Sequence, residues 1–254
     1  MLKITVNGFQ LAYQRHGQGM PLVLIHGYPL DHSIWNSVVP LLENDFDLIL
    51  PDLRGFGESG TTPSSYLMAD LAADMVALLD SLKLKKVAMV GHSMGGYMTL
   101  AFARAFPGRL RGLGLVSSQA LADPPEKKAG RYQEAEQILA HGVEDTAAGM
   151  STKLTDDPGL QGRLKELILR QRPQGLAGAL HAMAERQDSM LLLPELDFPV
   201  VLVHGLADKL IPVDRARAIS AVVKQGHLTE IQGVGHMPMM DAPQVTAQAL
   251  KALI

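Results

Sequence analysis

The sequence predicts an α/β fold: a mostly parallel sheet with helices on both faces and a helical cap insertion. Three observations predict it. Continuous apolar runs, such as Pro21-Leu22-Val23-Leu24-Ile25 and Val200-Val201-Leu202-Val203, have the character of strands buried on both faces of a parallel sheet. These runs alternate with helical stretches, which implies right-handed βαβ crossovers. From about residue 118 to 193 the rhythm changes. Pro124-Pro125 is followed by charged and Ala-rich helical stretches around 127 to 141 and 160 to 186, with no strand pattern.

Taken in order, Leu2 to Val6 and Phe9 to Arg15 flank Asn7-Gly8, a pair suited to a type I′ turn, so the chain opens with a hairpin at the sheet edge. The run from Pro21 to Ile25 ends in His26-Gly27-Tyr28-Pro29. Residues 46 to 50 (FDLIL) repeat the pattern and end in the glycine-dense loop Pro51 to Ser59. Leu67, Leu71, Met75, Leu78, Leu79 and Leu82 recur at helical spacing, giving an amphipathic helix over 66 to 82. A strand over 87 to 90, a helix over 94 to 106 and a strand from Leu113 to Val116 follow. After the insertion come a strand from Val200 to Val203, a helix from Val213 to Val223, a short strand from Leu228 to Ile231 and a closing helix from Gln244 to Ile254. The predicted organisation is a core made of residues 1–117 and 194–254, with 118–193 as the helical cap.

Composition removes several functions. With 254 residues, 47% of them hydrophobic, there is ample material for a core. Net charge is −3 with both signs interspersed, so no surface for nucleic acid or anionic lipid is expected. The absence of cysteine excludes disulfides, thiolate catalysis and cysteine-ligated metals. No stretch reaches the ~18 apolar residues of a membrane span. The opening MLKITVNGF lacks the pattern of a signal peptide, so a soluble cytoplasmic protein is expected.

The chemistry centres on Val87 to Gly96, where an apolar β-branched run feeds into Gly91-His92-Ser93-Met94-Gly95. This reads as a nucleophile elbow, a tight strand-to-helix turn that lifts a serine Oγ clear of the sheet. Gly91 and Gly95 are small because such a turn has close neighbours. The Met94 N–H falls at a helix N-terminus, where unpaired donors and the dipole favour a developing oxyanion. A serine nucleophile needs a base, and the base an acceptor that holds its tautomer. Asp208 lies just beyond a buried strand, and His236 sits in the glycine-flanked loop Gly233 to Pro238. Ser93, Asp208 and His236 are therefore the candidate triad. Asp123 is the alternative acid, in a rearranged triad, although Asp208 matches its motif better. His26, His92 and His204 lie at strand ends, where a packing or supporting role is expected. No HxxxH pair or clustered His/Asp spacing suggests a metal, so neither metal nor cofactor is expected.

HGYP at 26 to 29, DLRGFGES at 52 to 59, GHSMGG at 91 to 96, HGLAD at 204 to 208 and GVGHMP at 233 to 238 resemble the α/β-hydrolase family along essentially the whole chain. The resemblance implies Ser93 as nucleophile, Asp208 as acid and His236 as base. The backbone N–H groups of Tyr28 and Met94 would form the oxyanion hole. Asp52, Arg54 and Ser59 resemble a motif that fixes a loop. The HG-x-P element looks like the branch of small carboxylesterases, cofactor-free perhydrolases (haloperoxidases) and enol-lactonases, and Ser93 speaks against the epoxide hydrolases and dehalogenases that carry aspartate at the elbow. The implied activity is hydrolysis of small to medium, largely uncharged carboxylic esters, with a perhydrolase side activity. A lactonase of the 3-oxoadipate enol-lactonase type is the enzymatic alternative, and a non-catalytic ligand-binding receptor on this scaffold the alternative of another class. Pro29, Trp35, Ile211 and Met237 are candidate pocket residues. Arg131, Arg163, Arg170 and Arg186 are the cap cations that an anionic substrate would call on. The only partner expected is the small-molecule ester or lactone.

Overall fold

The computed structural model describes residues 1–62 and 65–253. The strands are β1 (Leu2–Val6), β2 (Phe9–His16), β3 (Met20–Ile25), β4 (Phe46–Pro51), β5 (Val87–His92), β6 (Leu110–Val116), β7 (Val200–Gly205) and β8 (Gly226–Ile231). They form one sheet in the order β1-β2-β4-β3-β5-β6-β7-β8. The predicted hairpin forms the edge, Val6 facing Phe9 across Asn7 and Gly8, whose φ values of 43° and 87° suit a type I′ turn. β2 joins β4 antiparallel, and every pairing from β4 to β8 is parallel.

Period-two alternation within the buried strands builds two cores. Val23, Ile25 and Met89 belong to the apolar cluster on one face, and Leu22, Leu24, Ala88 and Val90 to that on the other. Ahead of the insertion lie the short α1 (Val39–Leu42), the amphipathic α2 (Met68–Ser81) and the elbow helix α3 (Met94–Ala105).

Between β6 and β7 the two predicted helical stretches are four helices: α4 (Pro125–His141), α5 (Glu144–Leu154), α6 (Pro158–Leu169) and α7 (Pro173–Ala184). Punctuation divides them. Gly142 ends α4 at a φ of 92°, Asp157 caps α6 through the Leu160 amide, and prolines stand at the starts of α6 and α7. The predicted 213 to 223 helix is the shorter α8 (Asp214–Ser220). The closing helix is α9 (Pro238–Asp241) followed by α10 (Pro243–Leu250) and a 3-10 turn over Lys251–Leu253; Ile254, its predicted end, lies outside the described residues. Among the described residues no helix is long and apolar enough to cross a membrane.

The loop after β4 ties the sheet to the insertion. Ser59 Oγ donates to the Asp52 carbonyl at 2.6 Å and accepts from the Ala12 amide at 2.8 Å, while Arg54 grips Asp74 with two bonds of 2.7 and 2.6 Å. The Gly57 amide then donates to Gln171 Oε1, and Tyr66 Oη to the Gly175 carbonyl. The loop-fixing role expected of Asp52, Arg54 and Ser59 is what this geometry shows.

Candidate active site

Parallel strands bring the motif loops to one edge of the sheet. Tyr28 follows β3, Ser93 follows β5, Asp208 follows β7 and His236 follows β8. Ser93 has φ 50° and ψ −112°, a conformation rarely adopted by a side-chain-bearing residue. Its backbone is held there: the amide donates to the Val116 carbonyl at 2.9 Å, and the carbonyl accepts from Ser118 Oγ at 2.8 Å and from the Gly96 amide at 2.9 Å. The elbow leaves no room for side chains beside it. A Cβ on Gly91 would run into the Gly95 backbone, and one on Gly95 would meet the His26 carbonyl at 2.6 Å.

His236 Nδ1–H donates to Asp208 Oδ2 at 2.7 Å, which leaves Nε2 as the ring's acceptor. Asp208 also accepts from the Leu210 and Ile211 amides at 2.8 and 3.0 Å. Burial pushes its carboxyl upward, but the His236 hydrogen bond and those two amides more than offset it, and the net direction is below the usual carboxylate range. Asp208 is thus a carboxylate at neutral pH.

Two of the three strand-end histidines support this pair, and the third ties two loops together. His92 Nε2–H donates to the His236 carbonyl at 2.9 Å, and burial followed by the neighbouring His236 drives its pKa well down, keeping it neutral. His204 Nε2–H donates to the Ile211 carbonyl at 2.8 Å and lies 3.4 Å from Asp208. His26 accepts from the Leu53 amide and donates from Nδ1 to the Gly27 carbonyl, joining the loop after β3 to the loop after β4.

Ser93, His236, Tyr28 and Ile211 line one cavity of about 130 Å³. The amides of Tyr28 and Met94 have no acceptor among the described residues, as an oxyanion hole requires. Three candidate pocket residues lie elsewhere. Trp35 is fully buried in the apolar cluster that holds Leu42, Phe46 and Leu48, because its 3-10 turn (His32–Trp35) packs against β3 and β4 and does not line the cavity. Met237 belongs to the same cluster although it adjoins His236. Pro29 is buried within the Gly27-to-Leu30 turn and does not line the cavity. Asp123 is not a second acid. It pairs with Arg131 and, at 2.7 Å, with Arg186; against the upward push of burial, those two hydrogen bonds hold it at about 2.

The insertion supplies the opposite wall. Lys127, Arg131 and Glu134, spaced to share one face of α4, line the cavity together with Met150 and Met183. Tyr28 Oη donates to Glu134 Oε1 at 3.2 Å. Of the four arginines named from sequence, only Arg131 lines this cavity; Arg163 and Arg170 lie on a separate surface hollow. Lys127 and Glu134 are missing from the sequence reading, though their four- and three-residue spacing from Arg131 marks the same helix face. One further cluster escaped it: Asp31, His32 and Asp52 bring three ligand-type atoms within 4.8 Å of one another. Their oxygens already accept hydrogen bonds, from Ser33 to Asp31 and from the His32 amide and ring to Asp52.

A serine on a strained elbow beside a carboxylate-held imidazole, at the C-terminal edge of a doubly covered parallel sheet, defines a hydrolase scaffold. The chain belongs to the alpha/beta hydrolase fold family, whose model matches residues 20–243. It is similar to a thermophilic esterase from Thermogutta terrifontis, solved with malate bound, at 35% identity and a TM-score of 0.95 over 99% of this chain and 96% of that one. A non-heme chloroperoxidase of Kitasatospora aureofaciens is 28% identical, over 91% of this chain and 90% of its own. The enol-lactonase of Burkholderia xenovorans shares the fold at a TM-score of 0.91 and 21% identity, covering 99% of each chain.

Proposed function

We propose that the protein is a serine hydrolase that cleaves small to medium carboxylic esters through an acyl-enzyme. One observation carries the reading: Ser93, raised on its elbow, shares a small cavity with His236, whose far nitrogen is held by Asp208 at 2.7 Å. Ser93 attacks the ester carbonyl while His236 Nε2 takes its proton, and the Tyr28 and Met94 amides receive the oxyanion. Protonated His236 then gives its proton to the departing alcohol. Neutral again, it deprotonates the water that releases the acid. No step calls for a metal or cofactor. Residues 118–193, as a cap, roof the cavity and exclude bulk water.

The test uses p-nitrophenyl acetate and butyrate with the parent and Ser93→Ala. Turnover should fall by about a thousandfold or more, because triad members act as a unit. Phenylmethylsulfonyl fluoride should inactivate the parent with its label on Ser93. Ser93→Ala activity within tenfold of the parent, or a label elsewhere, sinks the mechanism.

A second reading has its own observation. Lys127 and Arg131 line the cavity and Arg186 shares their partner Asp123; against these three cations stand two carboxylates, Asp123 and the lining Glu134, which leaves positive charge in excess there. That favours an ester or lactone bearing a carboxylate, the chemistry of the lactonase alternative. Preference for a monoester of a dicarboxylic acid over its diester, weakening with salt, supports this reading.

A further inference from the structure

We propose that Tyr97 sets the acyl length this enzyme accepts, as a partition between the catalytic cavity and a second cavity behind it. The inference rests on the serine-esterase reading above. Tyr97 stands one helical turn after Ser93 on α3 and is 6% exposed. It lines the catalytic cavity of about 130 Å³ and also a second one of about 180 Å³. Among the described residues it is the only one common to both. Behind it the apolar part of the wall is Leu67 and Met68 at the start of α2 and Ala101 and Ala105, which continue the Tyr97 stripe of α3 at four-residue steps, while Arg104, Glu185, Gln187 and Ser189 give the rest a polar lining. The apolar side chains offer methyl and methylene surface, and the two alanines leave the space.

The ring is held in place. The Arg186 guanidinium lies 4.3 Å from the ring centroid, a cation–π contact. Arg186 is itself fixed, donating to the carbonyls of Met183 and Leu121, each at 2.9 Å, and to Asp123 Oδ1 at 2.7 Å. An acyl chain attached to Ser93 that runs along α3 therefore meets a clamped ring after its first few carbons. Short acyl groups fit in front of it. Longer ones need the space behind.

Removing the ring joins the cavities and more than doubles the room. Each methylene that then moves from water into apolar surroundings should raise kcat/KM about fourfold. The parent should favour acetyl and butyryl p-nitrophenyl esters and decline sharply at octanoyl. In Tyr97→Ala the octanoyl-to-acetyl ratio of kcat/KM should rise about a hundredfold. Tyr97→Phe, which keeps the ring, should retain the parent ratio. Ala101→Phe fills only the rear cavity: alone it should leave acetyl ester turnover as in the parent, and in the Tyr97→Ala background it should cancel the gain. Should Tyr97→Ala fail to fold, Tyr97→Leu gives the same test with less volume removed. Binding of octanoate to Ser93→Ala and to Ser93→Ala/Tyr97→Ala, read by calorimetry, should improve only with the second change. An unmoved ratio in the foldable variant, a gain that survives Ala101→Phe, or a parent that already turns over the octanoyl ester as well as the butyryl overturns the partition. Adding Ser93→Ala to each background separates the two failures. Hydrolysis that persists without Ser93 defeats the esterase reading, whereas Ser93-dependent hydrolysis with an unmoved ratio defeats only the role of Tyr97.

Discussion

The sheet edge and the helical insertion face each other across the same cavity, yet they are held by different physics. On the sheet side, His92, His204 and His236 are no more than 1% exposed, and each is fixed by hydrogen bonds to backbone or to Asp208. On the insertion side, α4 buries only Ala135 and Ile138, and charged contacts position its cavity face: Asp123 with Arg131 and Arg186, Glu134 with Tyr28 and, at its outer end, Lys128 with Glu185. Buried dipoles anchored to the backbone are rigid and feel little of salt, which suits groups that must meet a transition state within tenths of an ångström. Ion pairs on a helix can be exchanged without disturbing a core. On the proposed reading, the reacting groups and the cations that would meet a substrate's charge are held in separate layers.

Two aspartates with buried side chains, one in each layer, should respond very differently to loss of charge. Asp208→Asn should lower kcat by about a thousandfold or more, since the amide no longer holds the productive His236 tautomer. Asp123→Asn should lower it less than tenfold, with its effect on KM and thermal stability instead. If Asp123→Asn proves the worse of the two for kcat, the layers are not separate and the acid has been misassigned.

A smaller effect sharpens the same contrast through pH. Asp123 is held at about 2 against an ordinary 3.8, so its stabilising contribution is complete above the ordinary value and is lost as pH falls through about 2. His32, on the sheet side, runs the other way. Burial lowers its pKa, but the hydrogen bond to Asp52 at 2.7 Å and that carboxylate's charge raise it overall above 6.5, so its contribution is present in acid and lost as pH rises past its raised value. Thermal unfolding from pH 2 to 9 should therefore show the parent's advantage over Asp123→Asn shrinking below about pH 4. Its advantage over His32→Asn should shrink in alkali. Two flat difference curves would mean that neither pair is coupled to folding.

The smallest effect concerns Pro29. Proline fixes φ and offers no N–H, restricting how the carbonyls beside an acyl-enzyme are presented to an attacking peroxide. Peracid formation from acetate esters in hydrogen peroxide, relative to ester hydrolysis, should fall severalfold in Pro29→Leu. An unchanged ratio leaves Pro29 as a turn residue, in keeping with its burial in the Gly27-to-Leu30 turn.

Much of the fold and the motif residues could be read in the sequence, because the forces that produce them act locally. An apolar β-branched run makes a buried strand wherever it lies, Asn7-Gly8 closes a hairpin through its own φ values, and glycines around Ser93 announce a turn that admits nothing larger. The insertion was legible as helical but not as four helices, since α4 and α5 carry little apolar periodicity and are bounded by single residues such as Gly142. What only the tertiary structure decided is which side of each residue meets the cavity. Trp35 reads equally well as pocket wall or core aromatic until the sheet and its neighbours close over it. Asp123 reads as an acid until Arg186, 63 positions later, takes its carboxylate. His92 acquires its role from a carbonyl 144 positions away. Local sequence sets backbone conformation through sterics and periodicity, whereas a side chain's charge state, partner and exposure depend on what folding brings against it from elsewhere in the chain.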